Sequence, residues 1–476
     1  MSIKRLPLYT PPENRMASTA PDGKLVNCIV ESLTGEKAIR TRPGVLASSS
    51  NFGSGAALGI GMYYWGGVVY TIYATLSGAD YSVQVYRDGV AFGAPIAHPS
   101  YSTAWIARFD FVETRGATPR LVMFNGALGW YTDGSTISDL TAVANFPTSA
   151  VPGIAYVDGY ILVMTYGSIV YNSAIDDPTS WTASDFLTAE IAPGQGVYMS
   201  TLINFVVCVK QWSIEFLYDA ANATGSPFLP YSGSKISIGT NFAQTVSILD
   251  GVMFLLAQSQ SGGFFVSVIE NMKPKTISVP AIDRLLSGKA LDPLATYGNA
   301  FRVDGHAYYV LTLGYTSGTS VTVVYDASNG MWYEWGIGTT GTFPFKAVSY
   351  GDITPRLQHA DQFFIGDISS ANTTDWVGGI PMQIQTPIFD GGNTMRKFLR
   401  RFELVGDRLP GGTATLLTSD DDYQTWQSQG TIPMDASRND VWQLGSFRRR
   451  AFQINLANAT TARVITAELE LDEGVR

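Results

Sequence analysis

The chain has 476 residues and a formal net charge of −9, with only 15% charged residues beside 48 Gly, 24 Tyr, 24 Phe and 10 Trp. That length allows two or three domains with substantial cores, and the acidic balance excludes a sequence-reading DNA binder, which needs a basic surface to neutralise phosphates. Two cysteines offer no disulfide framework, and no apolar stretch approaches the roughly 20 residues needed to cross a bilayer.

Residues 1 to 54 are rich in proline and irregular (Pro11-Pro12, Pro21-Asp22-Gly23, Arg42-Pro43-Gly44). They predict an extended N-terminal arm that wraps a neighbour or the fold itself. Met1 to Pro7 lacks the apolar core of a secretory signal, so neither Sec export nor membrane integration is expected. Cys28 and Cys208, the latter inside the apolar strand Phe205-Val206-Val207-Cys208-Val209, suit small buried structural thiols in a chain that folds in a reducing cytosol.

From about residue 55 to 380 a unit recurs: an apolar residue, Asp-Gly or a near equivalent, then an apolar strand with an aromatic. It reads Val157-Asp158-Gly159-Tyr160, Leu249-Asp250-Gly251-Val252 and Val303-Asp304-Gly305-His306, with a degenerate copy at Ile203-Asn204-Phe205. Asp-Gly between apolar runs is a strong hairpin signal, because both residues tolerate the positive φ of a tight turn. The repeat extends outward to Trp65-Gly66-Gly67, to the turn near Gly116 and to Asp361-Gln362-Phe363. Hairpins at this spacing predict an all-β chain built on a β-propeller of six or seven blades; unrelated hairpins in a β-sandwich are the alternative. One short helix is predicted near Pro280 to Leu286.

Residues 381 to 476 predict a C-terminal β-sandwich, with strands at Lys397 to Val405, Ala414 to Thr418, Trp442 to Leu444, Arg450 to Leu456 and Arg463 to Leu471. Residues 391 to 476 hold 11 of the 31 Lys and Arg and 11 of the 40 acidic residues, so the excess of nine negatives lies elsewhere. Arg396, Arg400 and Arg401, with Arg448, Arg449 and Arg450, form two basic clusters. They are expected to pair with acidic surface on another chain, or to stand as a solvated strand face and edge.

Candidate chemistry is thin, and no catalytic, cofactor-binding or metal residues are predicted. Ser419-Asp420-Asp421-Asp422-Tyr423-Gln424-Thr425-Trp426 nearly matches the Ser-x-Asp-x-Gly-x-Thr-Trp turn of sialidase-type propellers, with Tyr423 where glycine belongs; it is read as a structural turn. Asp176 and Asp177 are neighbours, and neighbours on a strand face opposite ways, so they do not flank one glycosidic bond. His98, His306 and His359 are scattered without partners at metal or triad spacing. Trp181, Trp332 and Trp426, each following an Asp turn, are expected to be mostly buried.

Several segments together resemble the tail nozzle, or tail hub and DNA-stabilisation, proteins of short-tailed bacteriophages. They are Val26-Asn27 with Arg42-Pro43-Gly44-Val45, Asp177-Pro178, Asn204-Phe205-Val206-Val207-Cys208 running into Ser213-Ile214-Glu215-Phe216, Val324-Tyr325-Asp326-Ala327-Ser328 before Trp332, the Asp-rich hairpin near Ser419, and Arg448-Arg449-Arg450-Ala451-Phe452. The resemblance implies a non-enzymatic propeller protomer of a hexameric ring in the virion tail, assembled in the host cytoplasm. That ring would sit beneath portal and adaptor proteins, close the DNA channel without sequence-specific binding, and carry fibres or spikes. An acidic surface independently suits a conduit that DNA must pass without sticking. The competing expectations are a propeller glycoside hydrolase or depolymerase acting on bacterial surface polysaccharide, and a monomeric glycan-binding propeller.

Overall fold

The architecture was obtained as a computed structural model that describes residues 2–9, 23–33, 36–48, 55–77, 80–98, 106–338, 341–351, 354–457 and 463–474. Among these, six successive antiparallel sheets of consecutive strands run from Leu58 to Glu334, here blades 1 to 6. A seventh is made from Phe345–Gly351, Thr354–His359 and Ile365–Ser369. Its fourth strand comes from the far end of the sequence: Gly44–Ala47 pairs antiparallel with Ile365–Ser369. The innermost strand of blade 7 packs on that of blade 1, Leu58–Trp65, which closes the ring.

The repeated turns do what their composition predicts. Asp158 and Gly159 have φ 50° and 90°, Asp250 and Gly251 50° and 76°, Asp304 and Gly305 47° and 87°. Each pair joins the innermost strand of blade 3, 5 or 6 to the second strand, as in Val157↔Tyr160 and Leu249↔Val252. The degenerate copy serves blade 4, with Ile203 at φ 58°, and Gly66-Gly67 serves blade 1. The outermost extrapolation is displaced. Asp361 lies between the second and third strands of blade 7, because that blade's inner hairpin joins Gly351 to Thr354 instead. Second strands such as Leu121–Phe124 and Tyr160–Met164 are buried almost throughout, since each blade is covered on both faces by its neighbours. That double burial is why they read as unbroken apolar runs rather than alternating ones. The one helix spans Pro280–Ser287, and no helix among the described residues is long and apolar enough to cross a membrane.

The C-terminal residues form two sheets. One has the order Cys28–Leu33, Glu36–Thr41, Arg463–Glu473, Lys397–Gly406, Asp440–Trp442, with Ser2–Leu6 and Ser446–Phe447 added at its flanks. The other runs Met382–Gln385, Ala451–Leu456, Thr413–Ser419, Gln427–Pro433, and it continues into blade 6 through a single arm strand, Lys24–Val26. That strand pairs with Gln383–Gln385 on one side and, at Val26, with Glu334 of blade 6 on the other. The described part of the arm therefore contributes to three sheets. One continuous core joins it to the sandwich and to blades 6 and 7, holding Leu25, Ile29, Val45, Tyr308, Trp335, Phe364, Phe402, Phe452 and Leu469.

A buried polar knot fixes this junction. The Arg42 guanidinium grips both carboxylate oxygens of Asp375 at 2.6 and 3.1 Å, with both side chains fully buried. It also donates to Asn27 Oδ1 at 3.0 Å and to the carbonyl of Gly336 at 2.7 Å, and it stacks over Phe343 at 5.0 Å. Asn27, at φ 53°, donates to the carbonyl of Pro381 and accepts from the amide of Gly336. Gly44 follows because a Cβ there would lie 2.4 Å from the carbonyl oxygen of Thr374. Asn27, Arg42 and Gly44 are the arm residues that carry the family resemblance, and here they meet.

Arg42→Met and Asp375→Asn should each lower stability by about 3–5 kcal/mol, because either leaves a buried partner uncompensated; denaturant titration of each variant measures this. Val at Gly159, Gly251 or Gly305 should cost about 1–2 kcal/mol each through the left-handed backbone of the turn, and unchanged melting of all three would contradict the turn geometry.

Candidate functional site

In a propeller the ring axis is where residues from every blade converge, and here a cation occupies it. Arg108 stands just before the innermost strand of blade 2, Asp110–Glu113. It donates to the carbonyls of Gln244 at 3.2 Å, Val246 at 2.7 Å and Gly298 at 2.7 Å, and to Asn299 Oδ1 at 3.4 Å. One buried guanidinium thereby ties blade 2 to blades 5 and 6 across the axis. Asp110 lies 3.9 Å away and accepts a 3.1 Å hydrogen bond from the Tyr198 hydroxyl of blade 4. Burial raises the Asp110 carboxyl above its usual value, with Arg108 opposing.

Two cavities flank this layer. One, of about 260 Å³, is walled by Met62, Tyr63, Phe111, Tyr198 and Tyr350; Asp110 is the one carboxylate among its lining residues. The other, of about 430 Å³, is lined by Tyr297, Thr312, Lys346, Asp292 and Asp361 among others. Lys346 is buried and, among the described residues, donates to the carbonyl of Ile106 at 3.3 Å. Burial, with Arg108 nearby, pushes its ammonium down to about 8.

The arginines singled out from the sequence fall into two groups. Arg401 is buried and engages Glu470 at 3.2 Å and Glu403 at 2.5 Å. Arg450 is buried too, held by both oxygens of Asp420 at 2.7 Å and by the carbonyl of Leu444. Arg396, Arg400, Arg448 and Arg449 are exposed. Arg400 pairs with Asp472 at 2.6 Å and Arg449 with Asp422 at 3.1 Å. The strand Lys397–Gly406 lies inside its sheet, between Arg463–Glu473 and the short strands Asp440–Trp442 and Ser446–Phe447. Arg401 is thus on the buried side with Lys397 and Leu399, not at an edge.

The other motifs are structural. Asp421 accepts from the Thr425 hydroxyl and amide and from the Ser419 hydroxyl, which lowers its carboxyl to about 2, and Tyr423 adopts φ 69° in the position where glycine is usual. Asp176 accepts from the Tyr156 hydroxyl and the Arg115 amide while Asp177 pairs with Arg120, so the two serve different contacts. His306 pairs with buried Asp326 at 2.7 Å, a hydrogen bond that raises its pKa; His359 is buried, which lowers its pKa to about 4. Trp181 is buried, but Trp332 and Trp426 are half-buried. Both cysteines are free and buried. Among the described residues, no three His, Cys, Asp or Glu side chains are grouped to hold a metal ion.

Sequence reasoning missed Arg108 and Lys346. The available signal was a lone arginine within the apolar run Ile106-Ala107-Arg108-Phe109; its partners are backbone carbonyls from distant blades, which no spacing encodes.

The sheets form a closed ring whose axis carries Arg108, with Asp110 the one carboxylate lining the cavity beside it. Residues 111–375 match the family model described as bacteriophage P22 Gp10, beta-propeller, and the chain belongs to that family of phage structural proteins. None of the curated proteins matches. Among solved structures, BamB from Moraxella catarrhalis aligns at 10% identity over 74% of this chain and 98% of its own, with a TM-score of 0.36. BBS1N in complex with ARL6DN aligns at 9% identity over 74% and 94%, also with a TM-score of 0.36.

Lys346→Met should raise the melting temperature, because it removes a charge whose burial disfavours the ammonium. A lysine whose pKa is lowered on folding penalises the folded state below that pKa, and the penalty fades as pH climbs from about 8 toward the ordinary value near 10.4. The gap between variant and wild type should therefore narrow over that interval.

Proposed function

We propose that this chain is the protomer of a ring-shaped tail nozzle or hub in a short-tailed phage virion. The family match over the propeller carries this reading. In it, copies assemble, as a hexamer, below portal and adaptor proteins in the host cytoplasm, extend and close the DNA channel, and anchor fibres or spikes that act in virus entry. The plugged axis bears on where DNA would run. With Arg108 bonded to blades 5 and 6, the propeller centre offers no passage to a duplex, so a conduit for DNA ejection would lie between copies. The formal charge of −9 suits its walls, since like charge lets DNA slide without adhering.

Exposed Arg396, Arg400, Arg448 and Arg449 are the side chains we assign to contacts with neighbouring subunits or the adaptor; Arg401 and Arg450 brace the strands beneath them. Arg448→Glu with Arg449→Glu should weaken assembly and make it more salt-sensitive, because exposed pairs are screened over about 8–10 Å at physiological ionic strength. Analytical ultracentrifugation of the protein alone and mixed with portal, adaptor and other tail proteins is the test. A chain that stays monomeric in every mixture and hydrolyses a bacterial surface polysaccharide would replace the nozzle with a depolymerase.

A further inference from the structure

One stretch of the propeller is acidic in sequence, although the inner hairpin of blade 2 carries Arg115 and Arg120, the latter paired with Asp177 of blade 3 at 3.1 Å. Residues 121 to 209, which make most of blades 2 and 3 and the start of blade 4, contain seven carboxylates and not one Lys or Arg. Blade 3 also exposes three large apolar side chains, Tyr166 at 50%, Ile175 at 61% and Phe186 at 46%. Between blades 2 and 3 opens a cavity of about 410 Å³ with an apolar floor of Phe124, Phe146 and Ala150 and walls of Pro147 and Pro152. Ala127, Tyr166 and the polar but uncharged Asn125, Thr141, Thr148 and Ser149 complete the lining, which holds no charged residue. An uncharged, proline-walled pocket admits an apolar or aromatic side chain and rejects an ion.

The opposite end of the molecule has the complementary features. The sandwich is fused to blade 6, which stands three blades from blade 3 one way round the ring and four the other. Its strand Lys397–Gly406 and neighbours expose Phe398 at 47% and Trp442 at 55%. Exposed Arg448 and Arg449 follow directly after the strand Ser446–Phe447, which pairs with Lys397 and Phe398. The Arg396 and Arg448 guanidinium groups have no ion-pair partner among the described residues.

We infer that the acidic surface of blades 2 and 3 beside this pocket is the docking surface for the sandwich of a second copy, with exposed arginines over its carboxylates and Trp442 or Phe398 in the pocket. This rests on the ring reading above and adds the receiving surface. Two different patches at opposite ends of one chain make a head-to-tail contact, which closes into a ring when the rotation allows. An aromatic anchor in a desolvated pocket surrounded by opposite charges is the usual arrangement of a strong contact.

The test is charge reversal on each side, read as assembly mass by ultracentrifugation of the full chain. Asp185 lies on the outer strand of blade 3, Asp177–Thr188, and exposed Glu190 just after it; Asp185→Lys with Glu190→Lys should convert wild-type assemblies to single copies, and so should Arg448→Glu with Arg449→Glu. Mixing the two variants should restore closed assemblies of alternating copies, because the intact halves pair with each other and so do the two reversed halves, and combining all four changes in one chain should restore them as well. Ala127→Trp, which fills the pocket without touching charge, should raise the concentration needed for assembly at least tenfold. Wild-type assemblies that persist in both charge variants, or a four-change chain that stays monomeric while remaining folded by circular dichroism, would overturn this surface and leave the ring reading standing. A monomeric wild type would remove both.

Discussion

The buried pair of Arg42 and Asp375 is the constraint on which the architecture turns. Its two side chains are fully buried, and its hydrogen bonds reach the arm at Asn27, the segment between blades 6 and 7 at Gly336, and the backbone of Val45. A charge pair so buried is a weak source of stability, because desolvation offsets most of its attraction. What it supplies is position. Val45 lies in the strand that completes blade 7, Gly44–Ala47, and Asn27 directly follows the strand that bridges blade 6 to the sandwich, Lys24–Val26. Propeller closure and attachment of the second domain thus depend on one guanidinium.

The same logic of cations satisfied by backbone carbonyls recurs. Arg108 holds the axis, and Lys210, buried with Glu215 at 3.0 Å, donates to Ala189 and Ala192 and so pins the segment between blades 3 and 4. Carbonyls left unpaired at blade junctions are costly when buried, and long basic side chains can reach several at once. Arg42, Arg108, Lys210, Lys346, Lys397, Arg401 and Arg450 are all buried in this way, while the exposed cations are spread over arm, blades and sandwich.

Much of the fold was legible because it is written in local chemistry. Asp-Gly pairs at φ near 50° and from 76° to 90° can be read as turns without knowing what surrounds them, and strands buried on both sides announce themselves as apolar runs. The helix at Pro280 and the sandwich strands near Lys397, Ala414 and Arg463 followed from the same rules. Long-range pairings were not legible. The arm looked irregular because its strands are short and separated by prolines, and nothing in Gly44-Val45-Leu46-Ala47 says that its partner lies more than 300 residues away. The axial site was hidden for a related reason, since Arg108 binds main-chain oxygens. The basic clusters were visible as clusters, but only the tertiary structure separates Arg401 and Arg450, locked against carboxylates, from exposed Arg396 and Arg448, which have no ion-pair partner among the described residues.

An image of the purified assembly at side-chain resolution is the most direct test of the central claim, that this is a sealed structural propeller working as one unit of a ring. The account predicts a closed ring of copies, each with Arg108 density filling its propeller axis and the opening lying between copies. Isolated copies, or an assembly whose only passage runs through an unobstructed propeller axis, would contradict it.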